Sequence, residues 1–257
     1  MMLGTLAENR FKKAMKAGHK QAGYWLTLAS AQATEIAAGA GFDWMLIDME
    51  HTPNDIELVV DHLRAAAAGG PAEPAVRVPW NEPVLVKRLL DSGARSFMFP
   101  YVQNAAEARR AVEATRYPPH GIRGFSGSSR ATHFGRIKDY AARAHEEICV
   151  MVQIETPEAV ANISEISKVE GVDCIFIGPN DLAANMGFLA KASAPEVQDA
   201  IMKALKGIQA GPCCPGLLDY DQARAKKMFD AGFGVIAVGG DTSTLVKGAE
   251  SLAAAFK

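Results

Sequence analysis

The chain has 257 residues, 49% of them hydrophobic and 22% charged, enough for one large domain with a full core. Its 27 basic and 29 acidic residues leave a net charge of -2, which gives no electrostatic footprint for nucleic acid. No apolar run approaches the roughly 20 residues that span a bilayer, and the opening stretch MMLGTLAENRFKKAMKAGHK is amphipathic without a signal peptide's apolar core.

Taken in order, that first helix is followed by eight apolar runs: AGYWLTL (22–28), WMLID (44–48), PAVRV (74–78), SFMFP (96–100), CVMVQIE (149–155), CIFIG (174–178), CPGLL (214–218) and VIAVG (235–239). Each is one strand long and lacks polar alternation, as expected of strands buried on both faces. Amphipathic helical segments follow them at 30–40, 54–67, 82–92, 104–115, 156–167, 195–210, 220–231 and 242–256. Ser30, Asn54, Asn104 and Asp241 stand where helix caps belong, and Pro83 and Pro157 in first turns. Eight strand–helix units predict a (β/α)8 TIM barrel, mixed α/β, with an extra N-terminal helix across its bottom; an open doubly wound sheet is the runner-up. No linker or composition break interrupts residues 1–257, which read as one domain. The four cysteines, Cys149, Cys174, Cys213 and Cys214, form no C-x-x-C pair. They read as small buried residues in a reducing compartment, so the cytoplasm is the expected location.

One connection has no periodicity. RYPPHGIRGFSGSSRATHFGR (116–136) carries Arg116, Arg123, Arg130 and Arg136, and reads either as a functional loop or as a solvated one.

In such barrels the chemistry collects at the C-terminal strand ends. There the second run supplies Asp48, Glu50 and His51, the third Arg77, the fifth Gln153 and Glu155, and the sixth Asp181 just beyond Gly178. Gln153 and Glu155 are two apart, so they share one face of a buried strand. A carboxylate there is costly unless something pairs with it. Glu155 and Asp181 end adjacent strands and would repel unless protonated or bridged by a cation. Without a multi-His or Cys cluster, a hard oxygen-bound divalent ion fits better than zinc. Mg2+ or Mn2+ is expected, with Co2+ as a further option. The lysines fall in helices, loops or strand starts, which disfavours a Schiff-base mechanism.

The segments AGAGFDWMLIDMEHTPND, VRVPWNEPVLVKRLLDSGA, VQNAAEARRAVEATRYPPHGIRG, VQIETPEAVANI and VEGVDCIFIGPNDLAANMG resemble the HpcH/HpaI aldolase family of metal-dependent pyruvate aldolases. The resemblance implies that Glu155 and Asp181 hold the divalent ion and that Gln153 bonds near it. It implies that Arg77 contacts the keto oxygen, that His51, oriented by Asp48, is the acid–base group, and that the backbone of Gly178, Pro179, Asn180 and Asp181 takes the pyruvate carboxylate. It also implies a homo-oligomer, a hexamer, cleaving 4-hydroxy-2-oxo acids to pyruvate and an aldehyde. Asn180 and Met49 depart from the family's usual small residues and bear on the choice of aldehyde. Arg123 is expected to pair with a distal carboxylate on an aldehyde such as succinic semialdehyde, across a subunit interface. A lyase acting on CoA thioesters of malyl or citramalyl type, and a non-catalytic α-keto-acid-binding protein, remain the alternatives.

Overall fold

All eight apolar runs form parallel strands that close in sequence order into a barrel, in a computed structural model that describes residues 4–257. The first half comprises α1 (Arg10–Lys16), β1 (Gln21–Leu26), α2 (Ala31–Ala38), β2 (Trp44–Asp48), α3 (Ile56–Gly69), β3 (Glu73–Arg77), α4 (Pro83–Asp91), β4 (Ser96–Phe99) and α5 (Ala105–Thr115). After α6 (Tyr140–Arg143) come β5 (Cys149–Ile154), α7 (Pro157–Ala161), α8 (Ile163–Ile166), β6 (Cys174–Ile177) and α9 (Pro179–Asn185). The chain ends with α10 (Pro195–Gln209), β7 (Cys214–Leu218), α11 (Gln222–Ala231), β8 (Val235–Gly240) and α12 (Asp241–Ala254).

Strand alternation divides the core in two. One set of side chains packs under the helices, and the other fills the barrel. The inward columns are Trp44 and Leu46 on β2, Met151 on β5 and Phe176 on β6, among others. α1 closes the N-terminal end by inserting Phe11 and Met15 into this interior cluster, with Phe11 stacked on Trp44 at 5.2 Å. The same inward columns lead at the C-terminal end to Asp48, Arg77 and Gln153.

Local chemistry explains where the helices begin. Ser30 and Asn104 cap α2 and α5, and Pro83 and Pro157 open α4 and α7. Two expected caps differ. Asp55, not Asn54, caps α3 by accepting from Leu58 N–H, and Asp241 lies inside α12, its carboxylate accepting from Thr27 and Leu28 N–H instead. The single helix expected over 156–167 is broken at Asn162 into α7 and α8. α12 buries only Asp241; Leu245, Val246 and Leu252 along it are exposed.

Asn54 is diverted because its side-chain N–H donates to the Asp48 carbonyl at 2.7 Å. Its oxygen faces His62 Nε2 at 3.1 Å, and His62 Nδ1 meets Thr34 Oγ1 at 2.5 Å. This chain ties α2 and α3 to the end of β2. Burial pushes the His62 pKa below its ordinary value. The unfolded chain therefore binds a proton at His62 more readily than the folded one. Its contribution to stability is fully present above the unfolded value of about 6.5 and is lost as pH falls through the depressed folded value. Thermal melts between pH 7.5 and 5 should show this loss in the wild type, and a smaller one in His62→Gln.

Candidate active site

The end of β2 lies beside the end of β3, with Asp48 the register partner of Arg77. Their inward side chains form a buried two-point ion pair: Arg77 Nε donates to Asp48 Oδ1 at 2.9 Å and Nη2 to Oδ2 at 2.6 Å. Trp25 Nε1 also donates to Asp48 Oδ2 at 3.2 Å, and the Arg77 guanidinium lies over the Trp25 ring at 4.9 Å. Burial by itself would raise the Asp48 pKa, but the Arg77 hydrogen bonds and charge hold it below the usual carboxylate range. Burial would likewise lower Arg77, and Asp48 raises it, so the guanidinium is a permanent cation. Its Nη1 stands 2.8 Å from Glu50 Oε2, an ion contact without hydrogen-bond alignment.

Glu155 follows β5 and is buried. Tyr101 N–H donates to its Oε2 and Gln153 Nε2 to its Oε1, each at 2.8 Å. Tyr101 adopts a left-handed φ of 55°, which a bulky L-residue rarely does, and this conformation carries its N–H to the carboxylate. Gly178 leaves room on the other side: a Cβ there would lie 2.5 Å from Glu155 Oε1 and 2.8 Å from Gln153 Nε2. The small residue thus serves the packing of Glu155. Desolvation, with Asp181 and Glu50 adding repulsion, pushes Glu155 up to about 8 against the opposing effects of the Tyr101 N–H and Arg77.

Asp181 sits in the first turn of α9, where Gly178 is the N-cap and no side chain caps the helix. Its carboxylate is therefore not spent on capping. Leu182 N–H makes the first intrahelical bond, to Gly178 O at 3.0 Å, so the N–H groups of Asn180 and Asp181 precede the helical ladder. Asn185 Nδ2 donates to the carbonyls of both Glu155 and Asp181, binding the ends of β5 and α9 together.

These residues fit a hard divalent ion. Glu155 is a buried carboxylate short of positive charge, Asp181 acts on it electrostatically, and Gln153 Oε1 is a buried amide oxygen without a partner. Among the described residues no three or more His, Cys, Asp or Glu side chains form a metal cage. An ion would rest on Glu155 and Asp181 and take its remaining ligands from water, substrate or an amide oxygen.

Other expected residues lie differently. His51 is on the rim with its side chain 63% exposed, and its nearest carboxylate is Glu50, at 3.8 Å. The expected His51–Asp48 pairing is not formed, because Arg77, Trp25 and the Glu50 N–H occupy the Asp48 oxygens. Arg123 is not brought to the rim at all. Its buried guanidinium pairs with Asp91 at 2.9 Å at the C-terminal end of α4, between the rings of Tyr117 and Tyr140. A cation so committed is not available to a substrate carboxylate in this site. Pro179 is buried and Asn180 exposed; both border a cavity of about 330 Å3 that reaches Tyr220 and Arg224. Sequence reasoning missed Trp25, Tyr101 and the electrostatic weight of Glu50. Only Glu50, inside DMEH, carried a local signal.

A profile of the HpcH/HpaI aldolase/citrate lyase family matches residues 21–248. The chain is 51% identical over 250 residues to a protein of Salmonella dublin named 4-hydroxy-2-oxo-heptane-1,7-dioate aldolase, covering 97% of this chain and 95% of that one. Among solved structures, a HpcH/HpaI aldolase/citrate lyase family protein from Burkholderia cenocepacia J2315 superposes with a TM-score of 0.94 at 40% identity, covering 96% of this chain and 99% of that one. A HpcH/HpaI aldolase from Desulfitobacterium hafniense DCB-2 gives 0.85 at 29% identity, with 94% and 95% covered.

The Gly178 contact can be tested directly. Gly178→Ala should displace Glu155 and Gln153 and weaken Mn2+ binding by about 10–100-fold, while far-UV circular dichroism stays unchanged. Mn2+ affinity equal to wild type would show that Glu155 does not depend on this clearance.

Proposed function

Since the chain belongs to the HpcH/HpaI aldolase/citrate lyase family, we propose that it is a class II pyruvate aldolase, cleaving 4-hydroxy-2-oxo acids such as 4-hydroxy-2-oxo-heptane-1,7-dioate to pyruvate and an aldehyde. The observation that carries this reading is the rim itself. Arg77, a permanent cation, faces Glu50 and lies near the buried carboxyl of Glu155, which Asp181 and Glu50 also approach.

Glu155 and Asp181 would hold the divalent ion, with Mg2+ or Mn2+ preferred by the oxygen donors and Co2+ admissible. The ion supplies Lewis acidity toward the oxygens of the α-keto acid. The Asn180 and Asp181 N–H groups suit the substrate carboxylate, and Gln153 Oε1 is free to accept a hydrogen bond beside it. In the cleavage direction a base takes the proton of the 4-hydroxyl. The C3–C4 bond breaks, the aldehyde departs, and the released electron pair spreads over C3 and the keto oxygen. Arg77, held rigid by Asp48 and Trp25, stabilises that charge without changing protonation state. His51 is the rim group suited to the proton transfer, with Glu50 as its neighbour. Protonation of C3 completes pyruvate.

A homo-oligomer accompanies this reading. The exposed Leu245, Val246 and Leu252 of α12 support a second copy as the surface that covers them. The four free thiols suit a reducing compartment, for which we favour the cytoplasm, and among the described residues no helix is long and apolar enough to cross a membrane.

Pyruvate release from 4-hydroxy-2-oxo acids should vanish with EDTA and return with Mg2+, Mn2+ or Co2+. Turnover that survives complete metal removal would overturn the reading. Arg77→Lys keeps the charge but loses the two-point fork, and should lower kcat by about 10²–10³-fold with smaller change in KM. Light scattering after size exclusion should give a multiple of the 27.4 kDa chain mass, six copies on the family expectation, and Leu245→Glu with Leu252→Glu should reduce it.

A further inference from the structure

At the barrel end opposite the candidate site, β6 and β7 each begin with a cysteine. Cys174 and Cys214 are register partners on these adjacent parallel strands. Alternation turns both side chains into the barrel, where they join the same interior cluster. Neighbouring strands lie about 4.8 Å apart, within the roughly 4.4–6.8 Å Cα separation that a disulfide spans. Two glycines make space for the sulfurs: a Cβ on Gly216 would lie 3.0 Å from Cys174 Sγ, and one on Gly234 2.5 Å from Cys214 Sγ. Cys174 is fully buried, whereas Cys214 is half-buried and lines a cavity of about 850 Å3 at the foot of the barrel, bordered by Lys12, Lys16, Lys20 and Phe229.

We propose that Cys174 and Cys214 form a peroxide-responsive dithiol, in which a hydroperoxide entering this cavity oxidises Cys214 and Cys174 then closes a disulfide with it. Cys213 borders the same cavity, but its sulfur is turned away from the barrel interior, and Cys149 does not reach β7. Cys213 Sγ donates to the Ser167 and Val172 carbonyls and packs in the outer layer under the helices. Cys149 is fully buried on β5, which does not pair with β7.

The chemistry balances with hydrogen peroxide as the oxidant. The Cys214 thiolate attacks one peroxide oxygen; an S–O bond forms, the O–O bond breaks, and the departing hydroxide takes up the thiol's proton as water. Cys214 is now a sulfenic acid, oxidised by two electrons. The Cys174 sulfur attacks it, the S–S bond forms, the S–O bond breaks, and hydroxide leaves with the Cys174 proton as a second water. The order of events follows from the environments. Cys214 is half-buried and borders the cavity, with its thiol pKa held below the ordinary value by the neighbouring Cys174 thiol, while Cys174 is fully buried and burial pushes its thiol well up.

The test is intact-mass and peptide mapping of the folded protein after hydrogen peroxide, with remaining thiols alkylated under denaturing conditions. The expected result is a mass lower by two hydrogens, two of the four thiols unreactive to alkylation, a Cys174–Cys214 cross-linked peptide, and full reversal by dithiothreitol. Cys213→Ser should give the same cross-link and Cys214→Ala none. Oxygen adducts on Cys214 with Cys174 still alkylatable would overturn the proposal, as would a cross-link through Cys149 or no thiol loss. The wild-type map decides the matter even if a cysteine variant fails to fold.

Discussion

The ion pair between Arg77 and Asp48 sets the terms for the whole C-terminal rim. Both groups are removed from water, and deleting either would leave the other charged and uncompensated, at a cost of about 3–5 kcal/mol. The surroundings are built to prevent that. Trp25 and the Glu50 N–H complete the hydrogen bonding of the carboxylate, while Asn54 and Thr52 hold the Asp48 carbonyl from behind. His62 then anchors Asn54 to α2 and α3. Arg77 is thereby a cation of fixed position and fixed charge, the property that stabilising a developing oxyanion requires.

Around that cation the charges do not cancel. Glu50, Glu155 and Asp181 interact with one another, and Arg77 is already committed to Asp48 and Glu50. Burial first, and then the repulsion of Asp181 and Glu50, raise the Glu155 pKa, and the same shortage of positive charge makes a divalent ion suit the rim. Gly178 and Tyr101 hold Glu155 in this position, one by lacking a side chain and the other through an unusual backbone conformation.

The barrel's two ends follow different physical rules. At the top, inward columns end in buried charged and amide groups. At the foot, α1 seals the interior with Phe11 against Trp44, and Trp44 meets Phe176 edge-on. The cysteines of β6 and β7 sit at this apolar end, where their chemistry is separated from the rim by the packed layers of the barrel.

The amino-acid sequence by itself determined the barrel and the identity of its rim. Short runs apolar on both faces, helix caps and the spacing of Gln153 and Glu155 are local properties of the chain, and the alternation of side-chain direction places Asp48, Arg77 and Gln153 at the ends of inward columns. Tertiary structure decided which partner each polar group took. Asp48 could bond to His51, three residues away, or to Arg77, 29 residues away, and strand pairing put Arg77 alongside it. Asn54 could cap a helix or hold a carbonyl, and the position of the β2 end favoured the carbonyl. Arg123 looked free in a loop rich in glycine and serine, yet Asp91 and two tyrosine rings enclose it. A side chain's hydrogen-bonding capacity is written in its residue type; its use depends on which groups reach it first across space.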